Sequence, residues 1–248
     1  MIPQGQDDHA EICVVERRRG TTSRLHAPWP DETSRARRIV GICAPTAPKT
    51  LVIGSAQTGP LANPGVEIVK RSSGGGAVLI APLAQVWVDV WLPRDDPLWD
   101  DDVVRSSWWL GRAWREALQE LGVEDLHVHE GRLARTELSD LICFAGMGSG
   151  EVTWMGRKLV GMSQRRDRFG ARFQSVSPVA PLGPALGEIL QVDAGERRQI
   201  EWVLELETSC LLEATGQDDS ISQIAPEVSR FIGLVEQSVV RAIRAAGH

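Results

Sequence analysis

The sequence predicts an α+β fold in which a mixed, mostly antiparallel β-sheet is flanked by helices. Three observations carry that expectation. Residues 85–92 alternate strictly, with Val86, Val88, Val90 and Leu92 on one face and Trp87, Asp89 and Trp91 on the other. That is the period of a strand, and the large apolar residues on both sides predict a strand covered on both faces. Short strand-like runs recur along much of the chain, several of them separated by glycine turns. Two stretches instead repeat apolar residues at helical spacing: Val104, Trp108, Gly111, Leu118 and Leu121, then Val228, Phe231, Ile232, Val235, Val239 and Ile243. Strands first, with helices inserted and appended, is the α+β pattern.

Taken in order, residues 1–10 are polar and are expected to be flexible. A strand is expected over 11–16. Arg17-Arg18-Arg19 then reads as a solvated turn, followed by a Pro-, Ser- and Thr-rich loop to about residue 35. The expected organisation is therefore an N-terminal extension over 1–35 and one domain over 36–248. Strands over 38–43, 50–53 and 67–71 lead to a glycine triplet. After the strand over 85–92, Pro93 and Pro97 break the pattern. Asp100-Asp101-Asp102 supplies N-cap and dipole-matched residues for a helix that Gly122 stops. The strand over 126–129 carries His127 and His129. No third ligand stands at suitable spacing, so they read as ordinary strand histidines and no metal site is expected. Strands are expected over 138–146, 151–155, 158–163 and 171–179, and helices over 182–190, 197–214 and 224–246.

At 248 residues, with 42% hydrophobic and 24% charged residues, the chain can bury the core of a single domain. A net charge of -6 argues against a general nucleic-acid binder. Cys13, Cys43, Cys143 and Cys210 lie far apart without a Cys-x-x-Cys pair, so neither a zinc site nor a disulfide framework is expected. The acidic start has no apolar run of the signal-peptide kind, and no stretch is long enough to span a bilayer. The expectation is a soluble, cytoplasmic protein without membrane partners.

The chemistry concentrates in two stretches. Val69-Lys70-Arg71-Ser72-Ser73-Gly74-Gly75-Gly76-Ala77-Val78 places three glycines between a basic pair and a strand-like run. Glycine lets a backbone pass close to a ligand at an entropic cost, so the triplet reads either as a hairpin connection or as main-chain N–H groups laid along an anion. Met155-Gly156-Arg157-Lys158-Leu159-Val160-Gly161-Met162-Ser163-Gln164-Arg165-Arg166 embeds a lysine between small residues. Lys158 reads either as a strand-edge lysine or as a fixed positive charge for a carboxylate, phosphate or oxyanion.

These two stretches, together with Leu51-Val52-Ile53-Gly54-Ser55-Ala56-Gln57, resemble the lipoate–protein ligase A family of the biotin/lipoate ligase and octanoyltransferase superfamily. The motifs keep the family's order, and the resemblance covers about residues 38–179. It implies a biotin/lipoate ligase-like catalytic domain. Lys158 would contact the acyl carbonyl and the adenylate phosphate, while Arg71, Gly74, Gly75 and Gly76 would line the lipoyl and nucleotide pocket. Ser73, Ala77, Gly161 and Gln164 complete the matched motifs as substrate- or adenylate-binding positions. The implied reaction is adenylation of lipoate or octanoate by ATP with Mg2+, then attack by a lysine of a lipoyl domain. That domain would belong to a 2-oxoacid dehydrogenase complex or to the glycine cleavage H protein. Trp87 and Trp91 could wall the acyl tunnel.

Two family segments are replaced. Leu79-Ile80-Ala81-Pro82-Leu83-Ala84-Gln85 stands where a His-Asp-x-Gly-Asn segment is usual, and Ala171-Arg172-Phe173-Gln174-Ser175 where a histidine-glycine segment is usual. No accessory C-terminal domain is expected. A second reading follows from Leu141-Ile142-Cys143-Phe144-Ala145, which resembles the Cys-Phe segment of ligase-like octanoyltransferases. There Cys143 would take the acyl group from octanoyl-acyl carrier protein as a thioester, without ATP. A third is a non-catalytic acyl- or lipoyl-domain-binding paralogue, to which the replaced segments point.

Overall fold

A computed structural model describes residues 13–58, 62–217 and 221–246; the expected flexible start lies outside them. The chain runs β1 (Val14–Gly20), α1 (Thr22–His26), β2 (Ile39–Pro45), β3 (Thr50–Ile53), β4 (Glu67–Lys70), β5 (Val78–Ile80), β6 (Gln85–Pro93) and α2 (Trp108–Glu120). It continues through β7 (Leu126–Val128), β8 (Val152–Trp154), β9 (Arg157–Arg166), β10 (Gly170–Pro178), α3 (Leu182–Ile189), α4 (Ala194–Glu207), α5 (Leu211–Ala214) and α6 (Ile221–Ala245). Seven strands form the main sheet in the order β1-β2-β6-β10-β9-β8-β7, and β4-β3-β5 form a small one. Within the main sheet only β1 and β2 pair in parallel.

The alternating stretch becomes β6, and the expectation that both its faces are covered holds. Val86, Val88, Val90 and Leu92 pack with Leu110, Trp114 and Leu118 of α2 and Val228, Phe231, Val235, Val239 and Ile243 of α6. Each such side chain contributes about 1.5–3 kcal/mol on full burial, so this stripe, rather than helix propensity, holds the long α6 in place. On the opposite face Trp87 packs with Leu25 of α1 and with Val52, Val69 and Ile80 of the small sheet. No helix among the described residues is long and apolar enough to cross a membrane.

Several elements depart from the sequence expectation. The first strand runs Val14–Gly20, so the arginine triplet is not a solvated turn but part of an edge strand. Its alternation sends Arg18 onto the inner face, where Nη1 lies 2.8 Å from the buried Asp89. The helix expected from residues 100–102 begins at Trp108, because Asp100 and Asp102 accept from Asp102 N and Val104 N and so build turns instead. Gly122 does end that segment, at φ +83°. Residues 138–146 are not a strand; they form a loop with a 3₁₀ turn at Cys143–Ala145. The helix expected over 197–214 is split into α4 and α5, because Thr208 bridges to Lys158 and Ser209 N donates to the Lys158 carbonyl.

Candidate active site

The glycine triplet follows β4 and leads into β5. Gly75 sits at φ +94°, the left-handed region that glycine favours. At Gly76 the constraint is contact: a Cβ there would lie 2.5 Å from the Ile142 carbonyl carbon and 2.7 Å from Cys143 N. That approach lets Ala77, fully buried, exchange hydrogen bonds with the 141–143 loop, Ala77 N to Leu141 O (2.8 Å) and Cys143 N to Ala77 O (2.9 Å). Gln57 reinforces the seam, donating to the carbonyls of Asp140 and Leu141. The triplet therefore fixes the position of Cys143. Gly76→Ala should destabilise the fold by about 1–3 kcal/mol. Gly74→Ala, where a Cβ meets nothing within 4 Å, should stay within about 0.5 kcal/mol. Urea midpoints of the two variants check both values.

Arg71 is buried at 4% exposure rather than standing at the edge of the loop. Its Nη2 donates to the carbonyls of Gly74 (2.8 Å) and Gly76 (2.7 Å), and its Nε to that of Gly74 (3.1 Å). The guanidinium holds the loop's carbonyls to itself. Among the described residues, the N–H groups of Gly74, Gly75 and Gly76 have no acceptor. The loop that lines the cleft thus leaves three main-chain donors without a partner among the described residues, and main-chain donors of such loops are a means of holding anions. The cleft encloses about 630 Å³ and is lined by Gly74, Gly75, Gly76, Cys143, Glu151 and Lys158, with a rim that includes Arg135 and Asp140. That is the size range of small-molecule sites.

Lys158 lies at the base of this cleft, 1% exposed. A β-bulge aims it there: Val152 pairs with Val160 and Thr153 with Lys158, leaving Leu159 as an extra residue on β9. Its ammonium is ion-paired to Glu151 Oε2 (2.6 Å) and donates to the carbonyls of Cys143 (3.0 Å) and Gly146 (2.8 Å). Glu151, 2% exposed, also accepts from Gly148 N and Met162 N. All three ammonium protons are thus occupied, and Lys158 can meet a bound anion only by exchanging one of them. Phe144 lies beneath, with Nζ 5.0 Å from its ring centroid. Gly161 leaves room for both, since a Cβ there would meet Phe144 at 3.0 Å and Lys158 at 3.4 Å.

Glu151 was missed in the sequence. Its one signal is an acid closing the Gly148-Ser149-Gly150 turn ahead of the apolar β8. Gln164, matched to the substrate-binding motif, lies outside the site. The extra residue on β9 reverses the strand's alternation after Lys158, so Gly161 and Ser163 share its face and Gln164 does not. Gln164 instead bonds Ser106 Oγ and the Val103 carbonyl ahead of α2. Ser73, 2% exposed, bonds Ser163 Oγ at 3.0 Å and ties the glycine loop to β9.

Cys143 is a free, half-buried cysteine that lines the cleft and also a narrow slot behind it. The slot runs between the two sheets and is walled by Val78, Ile80, Trp87 and Val176, with His26 and Gln174. Trp87 lines this slot, whereas the Trp91 indole N–H donates to the Arg35 carbonyl. Burial pushes the His26 imidazole down from 6.5 to about 4; Arg172, Arg71 and Arg18 push the same way, and Asp89 opposes them. A base held below its unfolded value stabilises the fold fully above pH 6.5, and that contribution is lost as pH falls towards 4. The loss should reach on the order of 3 kcal/mol. His26→Phe should flatten the urea-midpoint profile between pH 6.5 and 4 relative to wild type.

Among the described residues, no group of three or more His, Cys, Asp or Glu side chains converges to hold a metal. Near the cleft, Asp140 pairs with Arg135 and Glu151 with Lys158.

Comparison with solved structures places this geometry in a known fold. The chain is similar to protein Ta0514 of T. acidophilum with bound lipoic acid, at 14% identity and a TM-score of 0.59 over 91% of this chain and 85% of that one. It is similar to lipoate-protein ligase A bound with ATP, at 14% identity and a TM-score of 0.61 over 95% and 91%. P. falciparum LipL1 in complex with lipoate aligns at 13% identity and a TM-score of 0.55 over 91% and 63%. At such identities the likeness shows the fold alone. No curated protein matches the sequence. The model of the lipoyl protein ligase A/B catalytic domain matches residues 42–232, a span that holds the glycine loop, Cys143 and Lys158. The chain belongs to the lipoyl protein ligase A/B catalytic-domain family.

Proposed function

We propose that the protein attaches lipoate or octanoate to a lysine of a lipoyl domain through an acyl-adenylate. The observation that carries this reading is the junction of two spaces. A cleft lined by the glycine loop and Lys158 meets an apolar slot at Cys143 and Met162, which line both. Such a junction suits a group with an apolar tail and an anionic head. The solved structures bound to lipoic acid and to ATP support the same pairing of ligands. In the first step a carboxylate oxygen attacks the α-phosphorus of ATP and pyrophosphate leaves. In the second, a lysine nitrogen attacks the acyl carbon, AMP leaves and the nitrogen loses a proton. The chain's part is electrostatic: loop N–H groups hold the anionic head, and Lys158, once released from one of its carbonyls, neutralises charge growing on the acyl oxygen and phosphate. One bipartite lipoate protein ligase of this fold, from Thermoplasma acidophilum, is described with an E2 lipoyl domain, which supports a lipoyl domain as the acceptor here.

A second reading is favoured by Cys143 itself, whose position at the junction suits a thioester formed from octanoyl-acyl carrier protein. Pyrophosphate release separates the two. The adenylate reading expects pyrophosphate when ATP and lipoate are mixed with the protein, and absence of release overturns it. Transfer from octanoyl-acyl carrier protein that is lost in Cys143→Ser would favour the second.

A further inference from the structure

The slot contains one polar group that the folded chain leaves unsatisfied. His26 Nδ1 lies 3.3 Å from Gln174 Nε2. With the Gln174 amide oriented so that Nε2 faces the ring, it donates to Nδ1, which puts the proton of the neutral ring on Nε2. Nε2 is buried and has no partner. The ring packs on Trp87 with centroids 4.9 Å apart, so its orientation is held. A buried N–H without an acceptor is unfavourable unless a ligand or a water supplies one, and His26 lines the slot together with Val78, Ile80 and Val176.

The position of this donor follows from the strand register. Gly161, against which Lys158 packs, pairs with Val176, and Ser163 pairs with Gln174 two residues further on. At the rise of a strand, His26 and its partner thus stand about 7 Å along the sheet from the head of the site. The slot encloses about 30 Å³, the room of about one water, so an acyl chain with its head beside Lys158 brings its distal end to His26 only as the slot opens.

We propose that His26 is a specificity-determining residue that selects acyl groups carrying a hydrogen-bond acceptor at their distal end, such as the ring sulfurs of a dithiolane, over chains that end in a methyl group. The replaced segments of β5 and β10 fit this. Ile80 and Gln174 line the slot, and among the described residues its one imidazole, His26, comes from α1, far from both in sequence. The inference rests on the reading that the cleft and slot hold an acyl group.

The test is calorimetric binding of lipoate and octanoate to the wild-type protein and to His26→Phe, which keeps an aromatic ring against Trp87. Wild type should prefer lipoate by about three- to tenfold, the range of one neutral hydrogen bond. In His26→Phe that preference should disappear through weaker lipoate binding, with octanoate unchanged or tighter. Should the variant not fold, the ¹⁵N resonances of the wild-type His26 ring serve instead: Nε2 should shift on adding lipoate and not octanoate. Equal binding of both acids by wild type, or a preference that survives His26→Phe, overturns the role of His26 and leaves the acyl reading intact. Failure of both acids to bind wild type overturns the acyl reading and this one with it.

Discussion

Lys158→Ala should lower the rate of lipoyl-domain modification by about 10²–10³-fold, the loss typical when one preorganised donor to a developing anion is removed. It should also destabilise the protein by about 3–5 kcal/mol, because Glu151 is left as a buried carboxylate without its cation. The two effects separate in a double variant. Glu151→Gln in the Lys158→Ala background removes the stranded charge while keeping an acceptor for Gly148 N and Met162 N. It should restore much of the urea stability and none of the activity. Unchanged activity in Lys158→Ala would contradict both the adenylate and the thioester reading. Glu151→Gln alone should weaken the hold on Lys158, and its effect on KM for the acyl acid would show whether the ion pair competes with substrate.

Asp89→Ala is the second large change. Asp89 is fully buried and accepts from Arg18 Nη1 (2.8 Å), from Arg172 Nε (3.1 Å) and Nη2 (2.5 Å), and from the Trp87 indole N–H (2.7 Å). The same arginines donate to the carbonyls of Leu25 and Ala27, and so they pin the α1 segment that carries His26 over the slot. Removing the carboxylate leaves two guanidinium groups without their counter-ion. The expected loss is about 3–5 kcal/mol in urea denaturation, with weaker acyl binding as the slot's cover loosens. A loss below about 1 kcal/mol would show that this network contributes little to stability.

The sequence was most informative where the relevant spacing is local. The alternation over 85–92 marked a strand covered on both faces, and in β6 the Val86, Val88, Val90 and Leu92 face meets the helices while Trp87 on the other face meets the small sheet. The glycine triplet and Lys158 were legible because their chemistry is carried by small residues beside a fixed charge. What was not legible depends on contacts between distant residues or on a change of phase. Arg18 reads as solvated until β1 brings it to Asp89. His26 gives no signal in sequence, since its partner Gln174 lies on a strand formed much later in the chain. Gln164 was assigned to the site from its motif, and one extra residue at Leu159 turned it to the other face. The strand expected over 138–146 failed because that segment pairs with the glycine loop through only a few bonds around Ala77.

The most direct test of this account is the intact mass of an apo lipoyl domain after incubation with the protein, ATP and lipoate, alongside a reaction supplied with octanoyl-acyl carrier protein. The account predicts an increment of one lipoyl group in the ATP-dependent reaction, abolished in Lys158→Ala. An unchanged mass with both donors would contradict acyl transfer by the cleft at Lys158.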